Sequence, residues 1–120
     1  MGVGGTISGN DFIVPYGVMI ISKYPCLFYE KYFKSKMGRS VLFAEPILPI
    51  NLIVATSHFE SFGASAYLRK GQMTETFWLL EFAQKAELAN HSVIAGDFNF
   101  DKSDKIEECV ITSSGYRDVM

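Results

Sequence analysis

Apolar residues fall along this chain in two rhythms. In its first half they come as short runs broken by polar residues and proline, a pattern that predicts strands. Tyr16 to Ser22 is such a run, closed by Lys23-Tyr24-Pro25, and it predicts a buried strand whose exit the proline fixes. Leu27 to Phe33 is aromatic-rich and only half alternating, which predicts a more exposed strand, with a polar connector over 34–38. Ser40 to Glu45, with Arg39 at its entrance, predicts a third strand, and Leu52 to Ala55, apolar throughout, a central fourth. From Ser65 to about Ala89 the rhythm becomes helical, with Met73, Phe77, Leu80 and Ala83 on one stripe and a Glu81–Lys85 pair on the wet side. Trp78, Leu79 and Phe82 widen that stripe, which predicts burial against more than one neighbour, and Asn90 is a suitable stop. Val93 to Ala95 then predicts a short strand buried on both faces, and Lys105 to Val110 a helical turn or two. Residues 1–15, with four glycines, Asn10, Asp11 and Pro15, predict a flexible lead-in, and beyond Tyr116 the pattern predicts no closing element.

Composition narrows the function. The 120 residues are 48% hydrophobic, enough for the core of one domain or part of one. A net charge of −2 argues against a protein that coats nucleic acid through a broad basic surface, so a phosphate substrate has to be met locally. Cys26 and Cys109 lie far apart without metal-ligand spacing or a secretory leader, which predicts reduced thiols in a cytoplasmic or nuclear setting. No apolar run approaches the length of a membrane span.

The chemistry concentrates in Ser92-Val-Ile-Ala-Gly-Asp-Phe-Asn99. In an extended backbone Asp97 and Asn99 project to one side and Phe98 to the other. Asp97 can hold and deprotonate a water, and Asn99 can donate hydrogen bonds to a phosphate oxygen. Gly96, without a Cβ, lets the chain turn or lets a substrate approach closely. Gly, Asp and Asn are also the commonest turn formers, so the pattern alone leaves site and turn both open. A second buried run ends in polar groups, Thr56-Ser57-His58-Phe59-Glu60-Ser61. Two such strand ends can build one site at one edge of a sheet.

The order strand, hairpin, Thr-Ser-His-Phe-Glu-Ser, amphipathic helix, Ile-Ala-Gly-Asp-Phe-Asn resembles the endonuclease/exonuclease/phosphatase superfamily, with its DNase I-like fold. Within it the chain is most similar to the 5′-tyrosyl-DNA phosphodiesterases, on residues 56–61 above all. The resemblance implies an α/β class: a partial DNase I-like β-sandwich flanked by helices, about half of a four-layer sandwich. Residues 16–120 would be the central part of that domain, incomplete at both ends.

Carried over by position, the resemblance makes Asp97 the group that activates water, Asn99 the one that holds water or phosphate, and His58 a stabiliser of transition-state charge, in its protonated form. Ser61 becomes either a phosphate contact or a cap on nearby backbone. Glu60 becomes either a partner that orients a neighbour or a solvated carboxylate. Arg69 and Gln72 are left out, and His91 is placed on the surface. The implied activity is a metal-dependent phosphodiesterase at nucleic-acid 5′ ends. A lipid or inositol phosphate hydrolase of the same fold and a non-catalytic binding remnant are the alternatives. The implied cofactor is Mg²⁺ or Mn²⁺, its main ligand expected outside this chain because residues 1–15 contain no Glu. The implied partners are a phosphodiester substrate and the missing sheet neighbours, or a segment that complements them.

Overall fold

Four strands form the central sheet: β3 (Cys26–Tyr32), β4 (Ser40–Pro46), β5 (Leu52–His58) and β6 (His91–Asp97), in that spatial order. They are preceded by a two-stranded antiparallel ribbon of β1 (Gly2–Gly5) and β2 (Met19–Ser22). The helices are α1 (Ala66–Lys85) and α2 (Lys105–Ser114). The computed structural model describes residues 2–5 (backbone only), 17–47, 51–61, 65–86, 89–101 and 103–119.

Strands β3, β4 and β5 run antiparallel, as their short connections allow, whereas β5 and β6 are parallel and joined through α1. A parallel pair needs a long crossover, and the amphipathic helix supplies it. Val41, Phe43, Ile53, Ala55 and Ile94 face the helix layer, where Met73, Phe77, Leu80 and Ala83 meet them. These are the four residues of the helical stripe read from the sequence. On the other face Leu42 and Ala44 are closed over by the β1–β2 ribbon, so β4 is buried on both sides.

Several expectations change. Residues 2–5 are a paired strand, not the start of a flexible lead-in. Backbone pairing needs no side chain, so a glycine-rich segment can supply it. Residues 6–16 lie outside the described residues. Strand β2 forms where expected but is not buried: Met19 and Ile21 are exposed, the latter by 66%, because the ribbon is covered on one side. Among the described residues strand β6 is a sheet edge, and it is not buried on both faces. Ile94 points into the core and Val93 is 48% exposed. Trp78 and Phe82 do not widen the buried stripe either. They stack on each other at 5.8 Å between ring centroids, on the outer side of α1.

The end of the chain is better anchored than its sequence suggests. Helix α2 runs ten residues to Ser114, ends on Gly115 at φ +83°, and packs against α1. Beyond it Tyr116 packs on Phe77 at 4.8 Å, and its hydroxyl pairs with that of Ser92. Burial beside Phe77 raises the phenol above its usual range, only partly countered by the Ser92 hydroxyl.

Candidate active site

Parallel register brings the two sequence motifs together. In the β5–β6 ladder Leu52 lies opposite His91 and the pairing runs without a slip to His58 opposite Asp97. Both residues therefore sit in the last row, at the carboxyl ends of adjacent parallel strands, where open α/β sheets place their ligands. One further bond, from the Phe59 N–H to the Asp97 carbonyl at 2.9 Å, holds the chains together past that row. Gly96 makes the close approach possible. A Cβ there would lie 2.1 Å from the Ser57 carbonyl oxygen, so the space the glycine leaves is filled by the neighbouring strand and not by substrate or a turn.

Asp97 and Asn99 share the site by a different route from strand alternation. The backbone leaves the extended state and Asn99 takes φ +57°, while its N–H donates to Asp97 Oδ1 at 2.9 Å. This is an Asx turn, which Asn and Asp tolerate better than other residues. The turn is built from the candidate site residues themselves. The Asn99 amide nitrogen then donates to the Phe59 carbonyl at 2.6 Å and to Ser61 Oγ at 3.2 Å. A carbonyl only accepts, so this contact fixes which way the amide points. Both amide protons expected to meet a phosphate oxygen are engaged within the chain, and Oδ1 is the atom left to orient a water.

His58 lies between a cation and a carboxylate. Its Nε2 is 3.5 Å from Asp97 Oδ2, and its Nδ1 is 3.0 Å from Arg39 Nη1. A guanidinium only donates, so Nδ1 is the acceptor and the ring proton sits on Nε2, toward Asp97. With Arg39 donating to Nδ1, the N–H that the ring has to offer is the one on Nε2. Arg39 also reaches Ser61 Oγ at 3.2 Å through Nη2. Ser61 thus accepts from Arg39 and Asn99 and keeps its own O–H to donate, while His58 Nε2–H faces the Asp97 carboxylate.

Glu60 is fully buried, not solvated. Oε2 accepts from the Ser35 hydroxyl at 2.5 Å and from Gln72 Nε2 at 3.0 Å, and Oε1 from the Lys36 N–H at 3.0 Å. Burial alone would raise its carboxyl. The hydrogen bonds from Ser35, Gln72 and Lys36, with the Arg39 charge, outweigh burial and hold it below the usual carboxylate range.

Arg39, Gln72 and Arg69 stand outside the residues that the sequence points to, yet they reach the cluster or its support. Arg39 stands two residues before the Val41↔Ser57 pair, so antiparallel register alone sets it level with Phe59, beside the motif. Arg69 lies one turn before Met73 on the buried stripe and Gln72 next to it. Polar residues on an apolar helix face signal buried partners. Those partners are Glu107 Oε1, 3.1 Å from Arg69 Nε, and the Glu60 carbonyl and N–H, bonded by Arg69 Nη1 and Gln72 Oε1 at 2.9 Å each. His91 opens β6 at the far end of the sheet and is exposed.

The described residues do not by themselves make a Mg²⁺ site. No three His, Cys, Asp or Glu side chains converge among them, Asp97 is the one carboxylate at the cluster, and Glu60 is turned inward.

By sequence alone the chain matches no family model and no curated protein. Its fold does match solved structures. The sheet covered by helices, with polar strand ends along one edge, is part of the DNase I-like fold. TDP2 from C. elegans matches with a TM-score of 0.67 at 16% identity, covering 85% of this chain and 32% of that one. The catalytic domain of human Nocturnin, with bound sulfate, matches at 0.65 and 14% identity, covering 94% and 48%. D. rerio TDP2 complexed with single-strand DNA product matches at 0.57 and 19% identity, covering 86% and 39%. The chain thus spans about a third to a half of these structures. Among its described residues no helix is long and apolar enough to cross a membrane.

Proposed function

We propose that this chain is the central part of a phosphodiesterase that acts at nucleic-acid ends, with a 5′-tyrosyl end as the favoured substrate. The observation that carries this reading is the convergence of His58 and Asp97 in the last row of the β5–β6 ladder, with Asn99 and Ser61 paired just past it. Asp97 accepts a proton from a water that Asn99 Oδ1 helps to orient. The water oxygen bonds to phosphorus, and the P–O bond to the leaving group breaks. As negative charge builds on the phosphoryl oxygens, Ser61 Oγ–H and His58 Nε2–H donate to them, and Arg39 supplies positive charge behind both. A phenolate leaves without a strong general acid, in keeping with a site that presents one carboxylate and one singly protonated imidazole. A mildly acidic chain with a local phosphate site also suits a terminal diester better than duplex coating. The DNA product bound to D. rerio TDP2 favours nucleic acid over lipid or inositol phosphate. Dependence on Mg²⁺ or Mn²⁺ belongs to this reading, with a carboxylate from outside these residues.

The test is turnover in a form that supplies the remainder of the domain. Values of kcat/KM on a 5′-tyrosyl oligonucleotide, an internal DNA phosphodiester, a phosphoinositide and sphingomyelin are compared side by side. The first is expected to lead, and Asp97→Asn to lower kcat about 10²-fold or more with KM little changed. A lipid in first place would move the substrate assignment. Near-normal kcat in the Asn variant would reduce Asp97 to a turn residue.

A further inference from the structure

The 35–39 turn is held by a hydroxyl with nothing to spare. Ser35 Oγ accepts the backbone N–H groups of Met37 and Arg39, both at 3.0 Å. Its lone pairs taken, it can only donate toward Glu60 Oε2, and Glu60 must therefore present an unprotonated oxygen there. The second oxygen takes the Lys36 N–H, and Gln72 clamps the assembly from α1 by donating to the Lys34 carbonyl at 3.1 Å and to Glu60 Oε2. The turn closes with the Phe33 N–H on the Arg39 carbonyl at 3.0 Å. Arg39 is thus fixed at its N–H by Ser35 and at its carbonyl by Phe33. From that anchored backbone its guanidinium spans to His58 Nδ1 and Ser61 Oγ.

We propose that Glu60 is a positioning residue for this site: its buried carboxylate shapes the 35–39 turn, the turn delivers Arg39 to His58 Nδ1, and Arg39 thereby fixes the imidazole proton on Nε2, facing Asp97. Glu60 has no bond to His58, Asp97 or Asn99, so it acts only through Ser35 and Arg39. The low-lying carboxyl of Glu60 agrees with this, since the arrangement works only with the carboxylate ionised. The importance of the tautomer for turnover rests on the phosphodiesterase reading. The positioning itself does not.

The experiment reads the ring nitrogens of the two histidines in the ¹⁵N-labelled chain, at a pH where both rings are neutral. In the parent chain His58 is expected to show one tautomer, with Nε2 protonated and Nδ1 hydrogen-bonded, while exposed His91 shows averaged signals. Arg39→Ala should move both His58 nitrogens toward the averaged positions. Glu60→Gln should do the same, because a Gln donor opposes either Lys36 N–H or Ser35 O–H, and Arg39→Ala with Glu60→Gln should add nothing further. Ser35→Ala removes the same link from a half-buried position and carries the test if the Gln variant does not fold. His91 serves as the internal control and should stay unmoved throughout. The proposal is overturned if Arg39→Ala leaves the His58 nitrogens in place, or if it moves them while Glu60→Gln and Ser35→Ala do not. No turnover enters the measurement, so loss of the phosphodiesterase reading and loss of this one are separable: a fixed tautomer in a domain that hydrolyses no phosphodiester would remove only the former.

Discussion

At the scale of single residues, two glycines show how little residue type says without its surroundings. Gly96 sits where a Cβ would strike the Ser57 carbonyl oxygen at 2.1 Å, and a backbone oxygen held in a ladder cannot step aside. Gly71 lies inside α1 with nothing within 4 Å of its missing Cβ. Gly96→Ala is therefore expected to destabilise the chain by about 3 kcal/mol, at the upper end of the overpacking range, and to disturb the row that holds Asp97. Gly71→Ala should stabilise it by about 1 kcal/mol through helix propensity. Urea unfolding of both variants beside the parent checks the pair. Equal small effects would mean that β5 and β6 do not approach as closely as their register implies. The sequence marks Gly96 as special but not why, because the contact lies across a strand pair that sequence spacing does not encode. His58 and Asp97 were legible as two polar strand ends. The tautomer of His58 was not, since it depends on Arg39, 19 residues away across the sheet.

Elements were more legible than their faces. Every strand from β2 to β6 and the long helix lie where the apolar runs place them, and the buried side of α1 is the stripe of Met73, Phe77, Leu80 and Ala83. What periodicity misjudged was how many sides of an element are covered. An apolar run at a sheet edge reads the same as one in the middle, so the runs of β6 and β2 predict burial that the sheet does not give them. Trp78 and Phe82 add apolar width to α1 that stays exposed among the described residues. Helix α2 outran its prediction because its one deep anchor is a charge. Glu107 is buried and meets Arg69 through both Nε and Nη2, at 3.1 and 3.0 Å. Such a pair stabilises little against an apolar replacement, yet losing one partner leaves a bare charge in the core. Glu107→Leu alone is thus expected to cost about 3–5 kcal/mol and to loosen α2. Adding Arg69→Met should recover most of that, less about 1 kcal/mol for the Glu60 carbonyl that Arg69 also satisfies. Thermal or urea unfolding of the single and double variants decides it, and a double variant as unstable as the single would remove the ion pair from the account.

At the scale of the molecule, the covering of the sheet is uneven. Over β4 both faces are closed, by α1 and by the β1–β2 ribbon. Over β6, among the described residues, only the helix side is. On the other side, register lines up Val54 with Val93 and Thr56 with Ala95, in the rows leading to His58 and Asp97. Val93 is half exposed, Ala95 is exposed, and β6 has no strand on its outer edge among the described residues. An edge strand with an apolar face beside it is a template for pairing with another chain. The solved structures that share this fold are two to three times the length of this chain. The isolated chain is therefore expected to self-associate with rising concentration, and sedimentation or sizing chromatography over a hundredfold range follows it. Val93→Lys tests the site of association. A charge on the open face of an edge strand opposes pairing without entering the core, so it should shift the chain toward monomer and leave its unfolding midpoint almost unchanged. A parent chain that stays monomeric over the whole range would mean that this face is already covered and the half-sandwich architecture is wrong.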